Sequence, residues 1–145
     1  MIRFPHRSRK TRWIVILYGV GVFFWLGLED NNLVGAILMG LISAGLAVFL
    51  WIQERLAQRI FPARYLPLLS LIMGGLIGAG TSLFSAGLML FKNARHAHLF
   101  PDYPAGLMGA ILSRAPIWTV GGALVGIGIG FLWLAFARRE NKQSE

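Results

Sequence analysis

Four apolar stretches, at 13–28, 33–52, 66–91 and 117–137, contain no Lys, Arg, His, Asp or Glu and fill most of this 145-residue chain. A hydrocarbon core about 30 Å thick takes about 20 residues of helix to cross, so each stretch has the length of a transmembrane helix. The shortest, 13–28, reaches the interface with help from a snorkelling Arg12. A soluble domain of this size would have to hide four helices that are apolar all round. With 56% hydrophobic and 14% charged residues, the composition also sides with membrane proteins. The expected fold is therefore all-α: an integral membrane four-helix bundle built from two transmembrane helical hairpins, a single domain over 1–145.

The basic residues set an orientation for four crossings. One side holds Arg3, Arg7, Arg9, Lys10, Arg12, Arg55, Arg59, Arg64, Arg138, Arg139 and Lys142; the other holds Lys92, Arg95 and Arg114. Positive-inside bias places both termini and the middle loop in the cytoplasm, as in a multi-pass protein of the plasma (inner) membrane. Trp13, Trp51, Tyr65 and Trp133 then mark the cytoplasmic headgroup level, and Trp25, Tyr103 and Trp118 the outer one. The formal charge of +8 becomes a one-sided feature that pairs with anionic lipid headgroups and calls for no nucleic-acid partner. The basic start followed by an apolar run looks like a signal peptide. The run is too long for most of these and lacks a small-residue cleavage site, so it reads as an uncleaved first helix.

Loop lengths suggest how the helices pair. The polar turn 29–32 is short enough to make the first two helices antiparallel neighbours. The second helix is expected to continue to about 60 on an Ile52, Leu56, Ile60 stripe, with Pro62 ending it and Pro67 opening the third helix. The connection 92–116 far exceeds the usual 2–8 residues of helix links. Within it, a short interfacial helix over about 105–114 should lie flat or dip partway into the membrane, separated by Pro116 from the last span.

Small residues recur every fourth position: Gly74, Gly78, Ser82 and Ala86 in the third span, Gly122, Gly126 and Gly130 in the fourth. Such faces let backbones approach closely, either within one chain or against a membrane-protein partner or second copy. The glycine spacing resembles that of the proteolipid ring subunit of rotary ATPases. That ring needs a carboxylate midway along a helix, and no span here has one.

Candidate chemistry is sparse. His96, His98 and Asp102 are the only cluster with metal-ligand residue types, and both imidazoles reach one ion only if the segment is extended. Zero cysteines exclude disulfides and zinc-thiolate sites. No ionisable group lies within a span, no base is paired with a serine, and no phosphate loop is present. The expectation is a non-catalytic structural or accessory membrane subunit without a cofactor, acting through helix packing. Passive permeation through an oligomer and ligand binding by the 92–116 loop are the alternatives.

Overall fold

The computed structural model describes residues 2–3, 8–28, 32–56, 60–96 and 101–143. Its five helices are α1 (Arg9–Gly27), α2 (Leu33–Arg55), α3 (Leu66–His96), α4 (Ala105–Ser113) and α5 (Ala115–Gln143). Among the described residues the other regular elements are a 3-10 turn at Ala63–Tyr65 and a two-residue antiparallel pairing of Ile2–Arg3 with Ile60–Phe61. Three helices are long and apolar enough to cross a membrane: Leu33–Arg55, Leu66–His96 and Ala115–Phe136. The helix α1 does not join them, because Arg9, Lys10 and Arg12 take up its first turn.

Local chemistry sets the helix boundaries. The Ser8 side chain accepts from the Thr11 amide at the start of α1, and Asn32 accepts from the Gly35 amide at the start of α2. The second helix ends at Arg55 and does not extend to about 60. A proline disfavours helical backbone in the residue before it, and Phe61, preceding Pro62, lies in the extended pairing. Pro67 and Pro116 both sit in the first turn of their helices, where a missing amide hydrogen costs nothing. Consequently α5 starts at Ala115, leaving only Arg114 between it and α4.

The packing centres on α3, with α5 and α2 laid against it. Two independent hairpins would have left α2 and α3 apart; instead their small faces meet. A methyl added at Gly40 would run into Ser85, and one at Gly80 would come within 3.0 Å of the Ala44 methyl. On the other side of α3 the contact is closer still. A methyl at Gly74 would strike the Gly122 carbonyl, at Gly78 the Trp118 carbonyl, and at Gly126 the Ser70 carbonyl.

The helix α1 runs beside α2 at a distance bridged by long side chains. Gln53 Nε2 donates to Thr11 Oγ1 at 3.3 Å near one end, and the Tyr18 hydroxyl donates to the Met39 carbonyl at 2.9 Å midway. Trp25 and Leu26 close the other end in an apolar cluster with Ala36, Met89, Tyr103 and Ile111.

Two hydrogen bonds fix the course of α4. Tyr103 is held by Asn93, and eleven residues back along α3 the Ser82 hydroxyl donates to the Ile111 carbonyl at 2.6 Å. The chain from Tyr103 to Ile111 therefore descends along α3 past about 16 Å of that helix, and α4 does not lie flat across the end of the bundle. Together α4 and α5 form one path antiparallel to α3, broken at Arg114.

Candidate functional site

The densest polar group lies where α1, α2, α3 and the start of α4 converge. Lys92 is fully buried there, although its place near a helix end suggested a side chain snorkelling to the interface. Its Nζ lies 4.6 Å from the Trp25 ring centroid and 5.8 Å from that of Tyr103. Facing aromatic rings attract a cation through their quadrupole, by about 2 kcal/mol when water is excluded. Trp25 and Tyr103, both expected near the outer ends of their helices, are buried there.

Asn93 positions the second of those rings. One turn of helix cannot reach the descending chain, but an amide side chain can bond both backbone groups of a single residue. Asn93 Oδ1 accepts from the Tyr103 amide at 2.9 Å, and Asn93 Nδ2 donates to the Tyr103 carbonyl at 2.7 Å. The Tyr103 hydroxyl then donates to the Asn32 carbonyl at 3.2 Å. Residues 32, 93 and 103 are thereby tied together, so the connection after α3 is strapped onto the start of α2. Arg95 adds a tie to α1, its guanidinium 4.9 Å from the Phe23 ring.

His96 and Asp102 come together directly, Nδ1 to Oδ2 at 2.5 Å. A carboxylate on one ring nitrogen fixes the orientation of an imidazole. Asp102 thus orients His96. His98 lies outside the described residues, as do Arg7, Arg59 and the acidic turn 29–31. Among the described residues no group of three or more metal-ligating side chains forms.

The other sequence-derived positions separate into two groups. Gly74, Gly78, Gly122, Gly126 and Gly130 meet one another or Ser70 and Pro67 across the α3–α5 contact. Ser82 belongs to the same stripe but faces α4, and Ala86 is buried nearby. Arg9, Lys10, Arg12, Arg55 and Arg64 are exposed. Arg3 lies in the two-residue pairing, and Arg138 and Arg139 fall in the last turns of α5. Asn93 and the burial of Lys92 were missed, because the residues that recruit them, Tyr103 and Trp25, lie far away in sequence.

Comparison with protein-family models, curated proteins and solved structures finds no match to this chain.

Proposed function

We propose that this protein is a small multi-pass integral membrane subunit, non-catalytic, that works through helix packing inside a larger membrane assembly. The observation that carries this reading is the α3–α5 contact, where glycines bring the two backbones together. Without a hydrophobic force between helices in lipid, such approach is a main source of association. Two of the polar side chains, Thr81 and Ser70, spend their hydroxyls on carbonyls of their own helix.

The reading includes four crossings with both ends in the cytoplasm. It is supported by α1, whose contacts follow α2 from Gln53 to Gly35, and by α4, which begins the last crossing. Eleven of the basic residues then face inward. Passive permeation would require Ser82 and Gly126 to meet water, and both are buried against neighbouring helices of the same chain.

Purification of the tagged chain in mild detergent tests the assembly. Stable co-purifying membrane proteins, identified by mass spectrometry, are expected. A clean monomer with no partner would overturn the reading. Reporter fusions at the two termini test the topology and should both be active on the cytoplasmic side.

A further inference from the structure

An apolar groove of about 500 Å³ runs between α2, α3 and α5. Met73 and Ile77 form its floor, Leu41 one wall, and Trp118, Val125 and Ile129 the other. Along α3 it extends from Ser70 to Thr81, eleven residues or about 16 Å. A single polymethylene chain, whose carbons contact neighbours at about 4 Å, fits. The hydroxyls of Ser70 and Thr81 donate to the Leu66 and Ile77 carbonyls at 2.6 and 2.7 Å, so the lining asks for no polar partner.

One end of this groove is charged. The α5 positions that line it, 118, 122, 125 and 129, share one helical face. Arg114 precedes Trp118 by four residues, and its carbonyl accepts from the Trp118 amide at 3.0 Å, so Arg114 continues that face by one turn, about 6 Å. Its side chain is exposed, and among the described residues it makes no ion pair or hydrogen bond. The first turn of α5 holds no acidic residue to offset its positive end. At the opposite end Arg64 is already engaged, donating to the Tyr65 hydroxyl at 3.1 Å and lying 4.8 Å from the ring.

The break at Arg114 lies about 16 Å along α3 from the Asn93–Tyr103 tie and directly before Ala115–Phe136, which is long enough to cross a membrane. An arginine at the end of such a span sits where lipid phosphates do. We propose that the groove and Arg114 form a binding site for one anionic phospholipid, its acyl chain in the groove and its phosphate on the guanidinium. Arginine suits phosphate because its planar fork can bond two oxygens at once. The site rests on the reading of the chain as membrane-embedded and adds a ligand to it.

The test reconstitutes the full chain into phosphatidylcholine vesicles with and without phosphatidylglycerol, then weighs the detergent-released protein by native mass spectrometry. One retained phosphatidylglycerol is expected, with phosphatidylcholine not retained. Arg114→Gln should reduce retention about tenfold by removing the charged bonds. Val125→Trp should abolish it by filling the groove, while Arg64→Gln should leave it unchanged. Circular dichroism melts confirm that each variant is folded. Equal retention of both lipids, no adduct, or an adduct unaffected by Arg114→Gln overturns the site. So does a lipid-free oligomer that Val125→Trp dissociates, because a helix then fills the groove. Release from vesicles by alkaline carbonate would instead sink the membrane reading, before any lipid is counted.

Discussion

Both ends of the bundle are made of the same residue kinds, basic side chains and aromatic rings, yet they are built in opposite ways. At the α1 start, Trp13 is 63% exposed, and Trp133 near the other terminus is 62% exposed. Arg9, Lys10 and Arg12, beside Trp13, are exposed as well. At the far end Trp25 is 7% exposed, while Tyr103 and Lys92 are fully buried. The difference is a strap. Asn93 draws the chain after α3 across the helix ends, and Tyr103 reaches over to the start of α2. At the α1 start, where the described crossing is only the pairing of Ile2–Arg3 with Ile60–Phe61, these residue kinds are exposed; under the Asn93–Tyr103 strap they turn inward and hold each other.

Removing the strap's anchor tests this contrast most severely. Tyr103→Ala should cost about 3–5 kcal/mol of stability, whereas Trp133→Ala should change it by no more than about 0.5 kcal/mol. Thermal unfolding in detergent micelles measures both, and equal losses would erase the distinction between the ends. The next effect belongs to the buried cation. Lys92→Met keeps the length of the side chain but removes its attraction to two rings, for an expected loss of about 2 kcal/mol. Arg64→Gln removes an exposed cation from one ring and should leave the melting curve unchanged. The smallest effect isolates a single hydrogen bond. Tyr103→Phe deletes only the donor to the Asn32 carbonyl, and about 1 kcal/mol should be lost. Loss of Trp25 shielding from an aqueous quencher, alongside each melt, would tie the destabilisation to opening of this end.

One region of the molecule sits between these extremes. The groove beside α5 is open like one end, but one turn beyond it stands an arginine that has no ion pair or side-chain hydrogen bond among the described residues. The residues alone place Arg114 in an outer loop with Lys92 and Arg95, where a lipid headgroup could meet any of the three. Its place at the head of the groove follows from where α4 goes, and α4 is drawn along α3 by Ser82 and Tyr103.

The helical character of the chain was legible from the residues alone, because a long charge-free run and the prolines and caps that bound it act locally. The runs at 33–52, 66–91 and 117–137 each became the apolar part of a long helix, with boundaries shifted by only a turn or so beyond the charge-free limits, apart from the final turns of α5. The extension expected past Arg55 gives way to a tertiary contact, Ile60–Phe61 pairing with Ile2–Arg3. Tertiary structure alone decided the rest. It made α3 the centre, laid α4 along it, and buried Lys92 between Trp25 and Tyr103. Those outcomes depend on side chains far apart in sequence meeting in three dimensions, and no local pattern encodes which distant ring or carbonyl a lysine or tyrosine will find.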